Sequence, residues 1–318
     1  MAVYTQVSAE ELAALLARYE GVGALVSAKG IAEGVENSNY LVDTSNARFI
    51  LTLYEKRVDA ADLPFFIALL DHLADAGAPV PRAIADRQGV QIQTVAGRPA
   101  CLIEFLPGVS VSRPTAVQAA AAGRALGTMH AALADFTGAR ANSLGREGWH
   151  ALAARCGADL DAIRPGLRRI VADELAWLDT HWPRDLPQSV VHADLFPDNV
   201  LMLDDAVSGV IDFYFACTEI RAWDLAVTHA AWCFDNDGAG YHPALGAALV
   251  GGYRASFGLT DAERAAFPAL ARGACLRFLL TRAWDWLNTP ADALVTRKDP
   301  IAFLRRLEFY AQNPDLLA

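Results

Sequence analysis

The sequence predicts an α+β protein with two lobes, a small β-rich lobe over residues 1–106 and a larger, mostly α-helical lobe over residues 107–318. Two observations support this division. Short apolar runs separated by turn residues dominate the first third of the chain, whereas apolar residues at helical spacing dominate the remainder. The pattern changes at Leu106-Pro107-Gly108, and 318 residues are enough for about two domains.

The first lobe is predicted to be a sheet of about five strands with one helix before it and one inserted. Ser8 and Glu11 have the spacing of a capping box at the start of the first helix. The second helix fits residues 62–76, with Gly77 placed to end it. Alternating apolar residues and turn signals predict strands over residues 24–29, 38–43, 48–54, 90–95 and 100–105.

The second lobe is predicted to be mostly helical, with a few short strands. Apolar residues recur at helical spacing over residues 115–133, 167–181, 223–234, 243–257, 261–287 and 301–311. Three short apolar runs among loops and paired aspartates predict strands over residues 189–192, 200–203 and 207–211.

Composition and charge exclude several classes of protein. Hydrophobic residues make up 53% of the chain, so overall disorder is excluded, and a net charge of −10 argues against a nucleic-acid binder. No signal peptide or membrane-spanning run is recognisable, and we expect a cytoplasmic protein with no membrane partner. The scattered cysteines support neither zinc binding nor a disulfide framework, and are interpreted as reduced core thiols: Cys101, Cys156, Cys217, Cys233 and Cys275.

The strongest chemical signal is His192-Ala-Asp194-Leu-Phe-Pro-Asp-Asn199, which has the form H-x-D-x-x-x-x-N and lies between two short apolar strands. Phosphoryl transfer needs a carboxylate that accepts the proton of the substrate hydroxyl, and oxygen ligands for magnesium nearby. Asp212 directly follows the next apolar strand, where a buried strand would hold a metal-binding carboxylate in place. One such aspartate alone would be interpreted as a turn residue, but the ordered set indicates phosphoryl transfer.

These residues resemble the aminoglycoside phosphotransferase and choline kinase superfamily, which shares the protein-kinase-like fold, and the resemblance covers nearly the whole chain. It implies ATP and Mg²⁺ as cofactors. Asp194 matches the catalytic aspartate of the family, and His192 matches the histidine that supports the catalytic loop. Asn199 and Asp212 match its two magnesium ligands. Asp224, in a D-L-A segment typical of the superfamily, is interpreted as a residue that braces the loop.

The resemblance also implies a nucleotide site in the first lobe. The glycines in Gly30-Ile-Ala-Glu-Gly34 would let the backbone approach phosphate oxygens, although a plain turn fits the same pattern. The adenine would bind main-chain groups near the end of the last strand. The residues implied at the nucleotide are Gly30, Gly34, Val35, Asn37, Ser38, Glu104 and Leu106.

A lysine that kinases carry on the third strand is missing, and Thr52 stands at the matching position. The predicted helix over residues 62–76 also has no glutamate that could pair with such a lysine. Lys29 or Lys56 offers a positive charge nearby. Without this lysine, the protein could be a pseudokinase that binds nucleotide but does not turn it over. The presence of Asp194 together with Asn199 and Asp212 argues against a pseudokinase.

A small-molecule substrate is favoured, because only about a dozen residues separate Asp212 from Asp224, too few for a segment that docks a polypeptide. The runs G-V-E-N-S-N-Y-L-V and F-I-L-T-L-Y-E are most similar to the homoserine kinase branch of the superfamily. L-homoserine would need a cation and an acid at its two charged ends, and Arg277, Arg282 and Asp285 are the candidates. A choline, amino-alcohol or aminoglycoside kinase is the alternative, and Arg282 could instead pair with Asp285.

Overall fold

The computed structural model describes residues 5–31, 37–55, 58–289 and 297–317. The chain forms two compact units, one of Met1–Gly108 with Ser208–Tyr214, and one of Val109–Val207 with Phe215–Ala318. The first unit contains a five-stranded sheet and the second contains most of the helices. The predicted α+β class is therefore confirmed. No sequence pattern indicated that Ser208–Tyr214 would belong to the first unit.

The sheet of the first unit is antiparallel throughout, with the strand order β1-β2-β3-β5-β4. The predicted strands are confirmed, with shifts of a few residues at their ends. The strands are β1 Leu25–Gly30, β2 Ser38–Thr44, β3 Arg48–Leu53, β4 Gln93–Val95 and β5 Arg98–Glu104.

Two helices accompany this sheet. Helix α1, Ala9–Leu16, begins at the predicted capping box, in which the side chains of Ser8 and Glu11 each accept a main-chain N–H of the other. Its apolar face joins Leu12 and Leu16 to the core beneath the sheet, where burial of each leucine contributes about 1.5–3 kcal/mol. Helix α2, Leu63–Asp75, ends before Gly77, whose φ of 80° suits a residue without a Cβ atom.

The second unit contains eight helices among its described residues. They are α3 Ala116–Ala132, α4 Arg146–Cys156, α5 Leu160–Ile163, α6 Leu167–His181, α7 Arg221–Trp232, α8 Pro243–Ser256, α9 Asp261–Asn288 and α10 Ile301–Gln312. Helices α3 and α8 pack with their backbones in close contact, because a Cβ atom at Gly123 would overlap the carbonyl oxygen of Leu249, and one at Gly252 would overlap that of Ala120. This packing brings the ends of α3 and α8 together near the loop described below.

Four short strands complete the fold, at Gln188–Val191 (β6), Val200–Leu203 (β7), Ala206–Val210 (β8) and Cys217–Ile220 (β9). Strands β6 and β9 pair antiparallel, and β7 and β8 form a two-stranded sheet. The sequence predicted β6, β7 and β8 but missed β9 and the helices α4 and α5. All five cysteines are free and buried, as predicted. Among the helices in the described ranges, none combines the length and apolar character that crossing a bilayer requires.

Candidate active site

The loop between β6 and β7 brings together three of the predicted site residues, His192, Asp194 and Asn199. The amide nitrogen of Asn199 donates to the main-chain oxygen of Asp194 at 2.8 Å and to its Oδ2 at 3.1 Å. The main-chain N–H of Asp194 donates to Nδ1 of His192 at 3.2 Å, which leaves the imidazole proton on Nε2. His192 is buried, and these hydrogen bonds join Asp194 to residues on both sides of it in the loop.

Asp224, near the start of α7, fixes this loop from behind. Its carboxylate accepts the main-chain N–H groups of His192 at 2.7 Å and Ala193 at 2.8 Å. Nε2 of His130 lies 3.2 Å from the same carboxylate, and Nδ1 of His130 lies 2.9 Å from the hydroxyl of Tyr253. Burial raises the pKa of Asp224, but hydrogen bonds and the nearby imidazoles outweigh it, and the net pKa is lowered. The predicted bracing role of Asp224 is confirmed.

Arg277, on α9, holds the same loop from another side. Its guanidinium donates to the main-chain oxygen of Ala193, and Nη2 lies 4.0 Å from Oδ1 of Asp194. Ala193 has a left-handed backbone with a φ of 64°, which costs a non-glycine residue about 1–2 kcal/mol. Because both main-chain groups of Ala193 are bound, by Asp224 and by Arg277, the surrounding structure maintains this unfavourable conformation.

Asp212, the other predicted magnesium ligand, belongs to the first unit. It follows β8, is exposed, and has a φ of 67°. Aspartate adopts this left-handed conformation more readily than most residues. The ring of Tyr214 packs edge-on against those of Tyr54 and Phe66, with centroids 5.5 and 5.6 Å away. These aromatic contacts anchor the chain just after Asp212.

The donor atoms of the predicted ligands fit magnesium, which prefers oxygen. The amide nitrogen of Asn199 donates its hydrogen bonds to Asp194, so its amide oxygen is directed away from that carboxylate. Asp212 contributes a carboxylate. Within the described part of the chain, no cluster of three or more His, Cys, Asp or Glu side chains could hold a metal ion.

The predicted nucleotide residues in the first unit have mixed environments. Gly30 ends β1, whereas Gly34 and Val35 lie outside the described residues. The hydroxyl of Ser38 donates to Oε1 of Glu55 at 2.7 Å, and Oδ1 of Asn37 accepts the main-chain N–H of Glu55 at 3.4 Å. Both side chains are buried, so the contacts in this structure hold the start of β2 against the end of β3.

The segment predicted to bind adenine starts at the end of β5. Oε2 of Glu104 accepts the main-chain N–H of Arg82 at 3.0 Å, and Leu106 follows in irregular structure. Thr52, at the position of the missing lysine, is buried and donates to Oδ1 of Asn39 at 2.8 Å. This position is therefore occupied by a hydrogen bond between β2 and β3, and Lys29 lies exposed on β1.

The three predicted substrate residues lie along α9 in different surroundings. Arg277 is 2% exposed and bound to the loop that carries Asp194, which favours a positioning role over direct contact with a substrate carboxylate. Arg282 is half-buried and donates to the main-chain oxygen of Asp299 at 3.2 Å. Burial, followed by the charge of Arg306, lowers the pKa of Arg282 to about 10. Asp285 is half-buried, and its main-chain oxygen accepts the N–H of Thr289 at 2.9 Å.

Sequence reasoning missed three residues of this region, His130, Tyr253 and Arg306. His130 and Tyr253 are on helices far apart in the chain, and no spacing in the sequence relates them to Asp224. Arg306 did leave a signal, since it is buried on α10 on the same face as Phe303 and Tyr310. A charged residue at a core position of an amphipathic helix indicates a special environment.

The sequence matches one family model and several curated proteins over most of its length. Residues 27–267 match the family model described as phosphotransferase enzyme family, APH. A protein of Zymomonas mobilis named homoserine kinase is 58% identical, with 98% of each chain covered. Another of the same name, from Azorhizobium caulinodans, is 54% identical over 98% of this chain and 96% of its own.

Solved structures of phosphotransferases share the fold. Spectinomycin phosphotransferase, solved with ADP and spectinomycin, superposes with a TM-score of 0.70 at 14% identity and covers 99% of this chain and 100% of its own. A choline kinase from Cryptosporidium parvum gives a TM-score of 0.67 at 14% identity, over 96% and 95% of the two chains. The resemblance noted in the sequence is confirmed, and the chain belongs to the APH phosphotransferase enzyme family.

Proposed function

We propose that this protein is an ATP-dependent homoserine kinase, which transfers the γ-phosphate of ATP to the hydroxyl of L-homoserine and so forms O-phospho-L-homoserine for threonine biosynthesis. Sequence identity of 58% over nearly the whole length to a protein of that name carries the proposal. The closed loop of His192, Asp194 and Asn199 supports it, because phosphoryl transfer needs a fixed carboxylate beside an oxygen ligand.

In the proposed mechanism Asp194 orients the substrate hydroxyl and accepts its proton. The hydroxyl oxygen forms a bond to the γ-phosphorus, while the bond from that phosphorus to the bridging oxygen breaks and ADP leaves. Asn199 holds Asp194, and Asp224 and Arg277 hold the main chain before it, so positioning supplies much of the rate enhancement. Magnesium, held by the oxygens of Asn199 and Asp212, would offset the charge of the phosphates.

The nucleotide is proposed to bind along Gly30, Asn37 and Ser38, together with Gly34 and Val35, and near the main chain of Glu104 and Leu106. The substrate is a small molecule, and we propose a cytoplasmic enzyme that needs neither nucleic acid nor membrane. The net charge of −10 agrees with this assignment, since a nucleic-acid partner would require a basic face.

Turnover of ATP with a panel of acceptors tests the proposed function. L-homoserine, choline, ethanolamine and an aminoglycoside would each be supplied with ATP and magnesium, and the phosphorylated product identified by mass spectrometry. We expect L-homoserine to be used with a kcat/KM orders of magnitude above the others. Better use of choline would contradict the substrate, and ATP binding without turnover of any acceptor would support a pseudokinase.

A further inference from the structure

We infer that Arg282 and Arg306 together form the site that binds the carboxylate of the substrate. The inference rests on the proposed function, because it identifies the residues that recognise one end of an amino-acid substrate. It extends the sequence prediction, which named Arg277 and Arg282 as candidates but did not include Arg306. The structural basis is a pair of arginines that share one aromatic ring and form no ion pair with an acidic side chain among the described residues.

The two guanidinium groups approach the same side chain. Arg282 on α9 and Arg306 on α10 each place the central guanidinium carbon 4.5 Å from the centroid of the Phe303 ring. Both positive charges therefore lie against one apolar ring. The pKa of Arg282 is lowered first by burial and then by the charge of Arg306.

Main-chain oxygens are the hydrogen-bond partners of this pair, and across the described ranges no acidic side chain forms an ion pair with either arginine. Arg282 donates to the oxygen of Asp299 at 3.2 Å. Arg306 donates to the oxygens of Ala302 at 3.0 Å and Asp235 at 2.8 Å, and its Nε has no partner among the described residues. Arg306 is 4% exposed, and a charge so buried is ordinarily paired.

Other shielded arginines of the same unit show the usual arrangement. Arg221 forms two hydrogen bonds to the carboxylate of Glu263, at 2.7 and 3.2 Å. Arg272 forms two to Glu174, at 2.8 and 2.6 Å. In contrast, Arg282 and Arg306 have the charge and the donors for a planar carboxylate but no such group from the described chain. A carboxylate ligand would supply the missing negative charge.

The position of Arg282 relative to Asp194 suits a short amino-acid substrate. Arg282 contacts the ring of Phe303, and the centroid of that ring lies 6.1 Å from that of Phe196, in the loop that carries Asp194. The charge of Asp194 also raises the pKa of Arg282. The carboxylate carbon of homoserine is four bonds from its hydroxyl oxygen, so its partner should lie well beyond Asp194. Arg277 does not meet this requirement, since its Nη2 is 4.0 Å from Asp194 and its side chain is buried.

Such a site would select against amino alcohols. A compound that lacks the carboxylate forms no ion pair with the two arginines, so it loses the favourable interaction. Arg282, which is half-buried, would contact the carboxylate directly, and Arg306 would lie behind it. The inferred ligand is therefore the α-carboxylate of an amino acid that also carries a hydroxyl.

The test compares L-homoserine with 3-aminopropan-1-ol, which is homoserine without its carboxylate. For Arg282→Gln and Arg306→Gln we expect kcat/KM for L-homoserine to fall about 100-fold, the scale of a lost charge pair. The value for 3-aminopropan-1-ol should remain within about threefold of the wild type. Arg305→Gln is the matched control, because Arg305 neighbours Arg306 on α10 but is exposed and pairs with Asp237. It should behave as the wild type with both compounds.

Equal losses for the two compounds, or no loss for L-homoserine, would overturn the inference while leaving the kinase activity established. If Arg306→Gln does not fold, Arg282→Gln alone provides the comparison, and Arg306→Lys, which keeps the charge, should retain most of the kcat/KM for L-homoserine. A wild-type protein that prefers 3-aminopropan-1-ol would overturn both the inference and the proposed substrate. As a second measurement, L-homoserine should raise the Tm of the wild type but not of Arg282→Gln, whereas MgATP should raise both.

Discussion

The carboxylate of Asp224 accepts the main-chain N–H of His192 at 2.7 Å, although the two residues are 32 positions apart in the chain. The second oxygen of the carboxylate accepts the N–H of Ala193 at 2.8 Å. Two consecutive amides are therefore held by one buried charge, directly before Asp194. This contact determines the direction in which the catalytic loop leaves β6.

Asp224→Asn should disrupt this loop with little change in side-chain volume. The new NH₂ group can only donate, so one of the two main-chain N–H groups would lose its acceptor. We expect a loss of about 2–4 kcal/mol in the free energy of unfolding. Turnover should fall at least 100-fold, a scale set by misplacement of a catalytic group. Urea unfolding and steady-state kinetics measure the two effects.

Asp179→Asn is the matched control for this change. Asp179 is exposed and pairs at the surface with Arg146 and His150. Its loss should cost less than about 1 kcal/mol, because exposed ion pairs contribute little. Equal effects of the two substitutions would show that the buried position of Asp224 has no special importance.

Arg277→Met should lower kcat with little effect on the KM for ATP, because Arg277 acts on Asp194 through the loop. Arg272→Met is the control on the same helix, since it breaks a shielded pair with Glu174 away from the loop. Both variants should lose about 3–5 kcal/mol of stability, but only Arg277→Met should lose kcat below the unfolding temperature. Partial recovery in Arg277→Lys would support the positioning role, and parallel kinetics in the two methionine variants would exclude it.

Asp194→Asn should retain nucleotide binding while turnover falls by about 100-fold or more, the scale of a lost general base. The amide can still contact Asn199, so the loop should keep its shape. Titration of a fluorescent ATP analogue and product formation under saturating substrate separate binding from chemistry. Unchanged turnover would remove Asp194 from the mechanism.

Asp212→Ala should abolish the dependence of nucleotide affinity on magnesium, because a carboxylate is lost from the proposed metal site. The expected result is weak ATP binding that is the same with magnesium and with EDTA. Asp205→Ala is the control, because it removes an acid in the turn before β8 that is close to Asp212 in sequence but is not a proposed metal ligand. A normal magnesium dependence in Asp212→Ala would place the metal site elsewhere.

Local signals predicted most of the fold. The capping box of Ser8 and Glu11, for example, gave the start of α1 to the residue, because the hydrogen bonds that define a helix end are made within four positions. Strand β9 was missed because it is four residues long and pairs with β6, nearly thirty positions earlier. Helix α4 was missed because the residue before its first turn is Gly145, which has no side chain to cap the helix.

In the candidate site, too, contacts between residues close in sequence were predicted and a contact between distant residues was not. The H-x-D-x-x-x-x-N motif predicted which loop residues lie together, since His192, Asp194 and Asn199 bond within one loop. Arg277 was predicted to be near the site but to bind substrate. Its contact with Ala193 spans 84 positions and depends on how α9 packs, which no spacing in the sequence encodes.

His229, on α7, should make the stability of the protein depend on pH in mildly acidic solution. Burial lowers its pKa from 6.5 to about 3, because the charged imidazolium cannot be hydrated there. The folded protein therefore keeps His229 neutral between pH 6.5 and 3, whereas the unfolded chain binds a proton below 6.5. Protons then favour unfolding by about 1.4 kcal/mol per pH unit below 6.5.

Relative to His229→Gln, which does not titrate, the wild type should lose about 2 kcal/mol between pH 7.5 and 5 in urea unfolding, and exposed His181→Gln should follow the wild type. Parallel pH profiles for the wild type and His229→Gln would show that the imidazole is protonated in the folded state.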